Sequence, residues 1–228
     1  MPADPIIVAL DVNSQAEAAD LVNKLGDDCG FYKVGMELYA AAGMDVVRWL
    51  HAQGKSVFLD MKFYDIGETV KRAVAAVAGS GVRFLTVHGS SAVMRAAVEG
   101  RQGSLLRLLA VTVLTSFDEQ DLRDLGYPCN VADLVALRVR NAMAAGIDGV
   151  VASPLEARSI RALAGNDAMI VTPGVRSATA SSGDQKRVAT PRQAIDDGAD
   201  YLVIGRQVTR AADPGAALRQ IRAELEAA

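Results

Sequence analysis

Eight short runs rich in Val, Ile and Leu recur along the chain with amphipathic stretches between them: Ile6 to Leu10, Phe31 to Val34, Val57 to Leu59, Phe84 to Val87, Leu108 to Leu114, Gly149 to Val151, Met169 to Val171 and Tyr201 to Ile204. They show little in/out alternation, as expected of strands covered on both faces in a parallel sheet. The stretches between carry helix signals. Ser14 with Glu17, and Ser153-Pro154 with Glu156, read as capping boxes, and Asp213-Pro214 reads as an N-cap followed by an N1 proline. Gly81-Val82-Arg83, Gly146-Ile147-Asp148 and Gly198-Ala199-Asp200 each close a helical stretch and lead straight into an apolar run, the glycine fitting a helix C′ position.

Eight strand-helix units in 228 residues, half of them hydrophobic, predict a (β/α)8 barrel spanning 1–228 as one catalytic domain. A doubly wound open sheet is the alternative, but no Gly-x-Gly-x-x-Gly follows the first run and no Pro/Ser linker divides the chain. The formal charge of −3 and pI near 5.4 give no overall basic field, which argues against nucleic acid or an anionic membrane as partner while leaving room for a local anion pocket. Cys29 and Cys129 form no CxxC pair and no His cluster accompanies them, so neither a zinc site nor a disulfide scaffold is expected, and reduced thiols fit a cytoplasmic protein. Met-Pro-Ala-Asp-Pro offers no basic leader and no apolar stretch approaches the ~18 residues of a membrane span, so a soluble, unexported chain is expected.

In such a barrel the active site lies at the C-terminal ends of the strands. The polar residues there are unusually charged: Asp11 after the first run, Lys33 in the second, and Asp60, Lys62 and Asp65 at and beyond the end of the third. Asp60 and Lys62 are two apart and share a strand face, the interior one if Leu59 and Met61 point to the helices. Lys33, Asp60, Lys62 and Asp65 can satisfy one another as a structural ion network, or act as a preorganised electrostatic site. Gly205-Arg206 after the eighth run suits a phosphate, although a surface arginine would look the same. Val175 to Ala189, with Ser181-Ser182-Gly183, is long for a βα loop and is a candidate lid. His88 ends the fourth run with no Ser or Cys partner motif and is read as a hydrogen-bonded structural residue; His51, near Trp49, is read as a surface or packing residue.

Asp60-Met61-Lys62-Phe63-Tyr64-Asp65-Ile66-Gly67-Glu68-Thr69 resembles the DxKxxDIxxT signature of the orotidine 5′-monophosphate decarboxylases. Leu10-Asp11, Lys33-Val34-Gly35, Leu114-Thr115-Ser116, Thr172 to Arg176, Asp184-Gln185 and Ile204-Gly205-Arg206 look like family segments in family order, with Tyr64 and Gly67 where histidine and proline are frequent. The resemblance implies conversion of orotidine 5′-monophosphate to uridine 5′-monophosphate, the last step of de novo pyrimidine nucleotide synthesis, without metal or organic cofactor. It further implies that Asp60 lies against the substrate carboxylate, Lys62 protonates C6 and Lys33 completes the charge array. Asp11 and Lys33 would bind ribose hydroxyls and Thr115 the pyrimidine. Pro173 would touch the substrate, and Arg176, Gln185, Gly205 and Arg206 would hold the phosphate. Family members are homodimers, so Asp65, Ile66 and Thr69 would reach the partner's substrate.

The same Asp-x-Lys-x-x-Asp core occurs in sugar-phosphate relatives, 3-keto-gulonate 6-phosphate decarboxylase and hexulose 6-phosphate synthase. These require magnesium held by a carboxylate at the end of strand two, where this chain has Lys33, with Glu37 four residues late. A non-catalytic phosphate-ligand barrel would be expected to lack Lys62 or Asp60. A Schiff-base aldolase using Lys62 would need a depressed lysine pKa, which flanking carboxylates oppose.

Overall fold

In the computed structural model, which describes Pro2, residues 4–177 and residues 187–226, strands and helices alternate along the chain. The first half runs β1 (Ile6–Ala9), α1 (Gln15–Leu25), β2 (Phe31–Gly35), α2 (Met36–Ala52), β3 (Ser56–Phe63), α3 (Gly67–Ala78), β4 (Phe84–His88) and α4 (Ser91–Arg101). The second runs β5 (Arg107–Val111), α5 (Glu119–Asp124), α6 (Val131–Ala145), β6 (Gly149–Val151), α7 (Ala157–Ala164), β7 (Met169–Thr172), α8 (Pro191–Asp196), β8 (Tyr201–Ile204), α9 (Arg206–Thr209) and α10 (Pro214–Glu226). The strands pair in parallel in sequence order and β8 closes on β1, giving the (β/α)8 barrel and not the open sheet. No helix among the described residues is long and apolar enough to cross a membrane.

The helix boundaries follow their caps. The Ser14 hydroxyl accepts the Glu17 N–H at 3.2 Å, and the Asp213 carboxylate accepts the Ala216 N–H at 2.9 Å behind Pro214. Ser153 and Glu156 do form a reciprocal capping box, but on a 3-10 turn, Pro154–Glu156, that precedes α7. Gly81, Gly146 and Gly198 all have positive φ, which explains glycine at the start of that recurring triplet. α2 kinks at Gly43, where φ is 55° and ψ is −147°.

Two apolar layers divide the barrel wall. Alternate residues such as Val8, Tyr32, Val57, Leu59, Leu85 and Val87 face outward into the layer under the helices. Ile7, Ala9, Phe31, Phe58, Phe84, Leu109, Val171, Tyr201 and Val203 face inward and fill the barrel. Near the start of the strands Phe31, Phe84 and Tyr201 meet edge to face at 5.1 to 5.9 Å. The Arg83 guanidinium lies over all three rings and donates to the Tyr201 hydroxyl at 3.0 Å. That end is plugged, so the barrel opens toward the strand C-termini.

Candidate active site

Alternation carries the apolar floor into a charged mouth. Two residues on from inward-facing Phe31 is Lys33, two on from Phe58 is Asp60, and two on from Phe84 is Thr86. Leu59 is buried in the outer layer and Met61 packs against it, as expected. Lys62 does not follow by simple alternation, however. The pairing of β3 with β4 shifts between Leu59 and Phe63, and Lys62 adopts a left-handed φ of 50°. This conformation costs about 1–2 kcal/mol for a residue with a Cβ. The Lys62 N–H leaves the regular ladder and donates to Thr86 Oγ1 at 2.8 Å.

The charges form a chain of alternating sign. Lys33 Nζ lies 2.8 Å from Asp11 Oδ1 and 3.7 Å from Asp60 Oδ2, and Lys62 Nζ lies 2.9 Å from Asp60 Oδ1. The Thr86 hydroxyl also donates to Asp60 Oδ1, at 2.9 Å. Burial alone would raise the Asp60 pKa, but the Lys33 and Lys62 charges, with hydrogen bonds from Lys62 and Thr86, hold it below the usual carboxylate range. Burial alone would lower the Lys33 pKa, but Asp60 and Asp11 hold it above the usual lysine range. Both ions are therefore charged at neutral pH although their side chains are only 11% and 13% exposed. Gly35 makes room for this arrangement, since a Cβ there would lie 2.9 Å from Lys33 Nζ and 3.3 Å from Asp11 Oδ1.

The charged mouth is one wall of a cleft of about 490 Å³, within the range typical of ligand pockets. Of the residues predicted from sequence, Asp11, Lys33, Asp60, Lys62, Thr115, Pro173, Arg176, Gly205 and Arg206 all line it. Arg210 lines it too, a third arginine with Arg176 and Arg206. Burial, and then the neighbouring Arg206 charge, push the Arg176 pKa down. The ends of the long loop are tied by the bridge from Val175 to Ala189, with Arg176 N donating to Ala189 O at 3.0 Å. Arg187 pairs with Glu156 and donates to Leu114 O at 3.0 Å, fixing that end beside the Thr115 wall. Gln185 and the rest of 178–186, including Ser181-Ser182-Gly183, lie outside the described residues.

Asp65 corrects the expected four-member array. It is exposed, its carboxylate accepts the Ile66 N–H at 2.7 Å, and among the described residues it makes no ion pair, so Asp11 and not Asp65 completes the chain of charges. Ile66 and Thr69 are exposed too, at the start of α3, away from this chain's cleft. The reason is geometric: the strand ends at Phe63 and the chain turns outward before α3.

His88 also departs from expectation. Its Nδ1 is buried without a hydrogen-bond partner, and its ring instead lies against Tyr64, tilted by 40° with centroids 4.3 Å apart. Burial, then the nearby Arg138 charge, push its pKa down, so it is held neutral. His51 packs on Gly81, where a Cβ would lie 3.1 Å from its ring. Sequence reasoning did not pick out Thr86 or Arg210; Glu37 and Ser116, noted there only as a displaced carboxylate and as part of a family segment, also line the cleft. Thr86 was visible as the polar residue two after Phe84, while Arg210, past a four-residue helix, gave no signal. Among the described residues no three His, Cys, Asp or Glu side chains gather closely enough to hold a metal ion.

Known proteins resemble this chain in sequence and in fold. Residues 4–221 match the model of the orotidine 5′-phosphate decarboxylase / HUMPS family. A curated orotidine 5′-phosphate decarboxylase of Methylobacterium sp. is 53% identical over 227 residues, covering 98% of this chain and 96% of its own. One of Afipia carboxidovorans is 51% identical over 227 residues, covering 100% and 97%. The crystal structure of orotidine 5′-phosphate decarboxylase from Lactobacillus acidophilus superposes with a TM-score of 0.86 at 37% identity, covering 98% of this chain and 99% of that one.

Proposed function

Because the chain belongs to the orotidine 5′-phosphate decarboxylase / HUMPS family, we propose that it converts orotidine 5′-monophosphate to uridine 5′-monophosphate and CO2, the last step of de novo pyrimidine nucleotide synthesis. We read residues 1–228 as one catalytic domain of a cytoplasmic enzyme with no metal or organic cofactor. The observation that carries the reading is the run of charges Asp11, Lys33, Asp60 and Lys62 in a cleft that three arginines also line.

The substrate phosphate sits against Arg176, Arg206, Gly205 and Gln185, with Arg210 adding charge at the same end. Asp11 and Lys33 hold the ribose hydroxyls, and Thr115 and Pro173 line the pyrimidine. The carboxylate at C6 then lies against Asp60. When the C6–carboxylate bond breaks, its electron pair stays on C6 and CO2 leaves. No carbonyl is adjacent to accept that pair, so fixed cations must stabilise it. The Lys62 ammonium does so, passes a proton to C6 and recovers one from solvent. Asp60, tied to two lysines, keeps its charge through the cycle and holds the Lys62 ammonium beside the reacting carbon.

The chain works as a homodimer in this reading. Asp65, Ile66 and Thr69, turned out of their own cleft, meet the partner's substrate, and the exposure of Tyr64 and Ile66, 67% and 73%, supports a covered surface there. The magnesium-dependent sugar-phosphate relatives are disfavoured by Lys33, whose ammonium stands between Asp11 and Asp60 where a cation would otherwise be held.

Loss of orotidine monophosphate absorbance, followed with and without a strong metal chelator and repeated with Lys62→Ala, tests the proposal. Chelator-resistant turnover reduced about 10³-fold or more in the variant is the expected result. Inactivity, or activity only with added magnesium, would overturn it.

A further inference from the structure

Thr86 has no part in the family signature and no surface in the cleft, being 0% exposed, yet it is bonded to both reacting-end residues. Its hydroxyl has one proton. Asp60 Oδ1 is an ionised acceptor 2.9 Å away, and the Lys62 N–H is a donor 2.8 Å away, so the direction of both bonds is forced: Thr86 donates to Asp60 and accepts from Lys62.

The consequences are specific. Asp60 Oδ1 receives Thr86 and Lys62 Nζ together, which fixes the carboxylate plane and leaves Oδ2 to face Lys33 at 3.7 Å. The Lys62 N–H lies where the ladder between β3 and β4 is out of register, and Thr86 supplies the acceptor that the ladder does not. That bond holds the left-handed backbone at Lys62, φ 50°, from which its side chain turns back to Asp60.

We propose that Thr86 is a positioning residue for the decarboxylation, setting the Asp60 rotamer and the Lys62 backbone together so that the ammonium is aimed at C6. This rests on the decarboxylase reading above. Because Thr86 touches no substrate, its loss acts on kcat and leaves KM nearly unchanged.

The test compares Thr86→Val, Thr86→Ala and Thr86→Ser, with turnover expressed per site counted by uridine 5′-monophosphate binding. Val keeps the shape without the hydroxyl and Ala removes it with less bulk should Val fail to fold. Either should lower kcat about 10- to 100-fold, the scale of a lost hydrogen bond to a charged group, with KM within about threefold. Ser, which keeps the hydroxyl, should restore most of the loss. A Val or Ala variant with wild-type kcat per site, or a Ser variant as poor as Ala, would overturn the proposal. Crystal structures of the variants give a readout free of turnover: without the hydroxyl the Asp60 carboxylate should rotate and Lys62 should relax toward an extended φ. An inactive wild-type protein would sink the decarboxylase reading alone, and an unchanged Asp60 and Lys62 geometry would then sink this one.

Discussion

Lys62 Nζ reaches Asp60 Oδ1 at 2.9 Å through a backbone that turns left-handed at Lys62, so the contact between residues two apart is made by a break in the strand and not by its regularity. Asp60 thereby serves two lysines with two oxygens, and several properties of the protein hang on that carboxylate.

Removing it leaves Lys33 buried against Asp11 alone. Asp60→Ala should destabilise the fold by about 3 kcal/mol, the scale of an uncompensated buried charge. Asp11→Ala, whose side chain is 53% exposed, should cost under about 1 kcal/mol. Denaturant unfolding of the two variants checks this, and equal losses would contradict the ordering.

Stability should respond to pH at two acidic steps and one basic one. The His88 pKa is lowered by folding from its ordinary 6.5, so its contribution is present above that pH and declines as the pH falls below it. Asp60 is lowered from 3.8, so its contribution is lost only below about that value. Lys33 is raised from 10.5, so its contribution is present below that pH and is lost as the pH climbs through the folded value. Melting temperatures from pH 3 to 11 should show the upper acidic step vanish in His88→Phe while the lower one remains.

In the proposed function Arg206 holds the phosphate, whose binding helps assemble the site, so Arg206→Ala should reduce kcat/KM about 10²-fold. Unchanged kcat/KM would remove Arg206 from the phosphate end.

Asp65 supplies a test of the shared site. If the proposed homodimer shares its sites, Lys62→Ala and Asp65→Ala should each be nearly inactive, but co-expressed together they should regain about a quarter of wild-type turnover, because half the dimers would be mixed and one of their two sites intact. No recovery would mean that each site is built from one chain.

The linear order of residues was enough for the barrel. Apolar runs such as Gly149 to Val151 and Tyr201 to Ile204 coincide with β6 and β8, because burial on both faces demands uninterrupted hydrophobic strands wherever they lie. It also marked Asp11, Lys33, Asp60 and Lys62, since charge at the end of a buried strand is costly and therefore conspicuous. What it misjudged are features that depend on partners distant in sequence. The run Leu108 to Leu114 continues past the strand, which ends at Val111, because Val113 is buried off the ladder and Leu114 turns to the cleft. Asp65 left the array because the turn after Phe63 sends it outward, and Thr86 entered because β4 lies beside the irregular end of β3. Hydrophobic pattern is a property of each segment, so the sequence by itself determined the strands, the barrel and the list of charges. Hydrogen-bond direction and left-handed backbone are properties of neighbouring segments in contact, so only the tertiary structure decided which charges meet and what holds them.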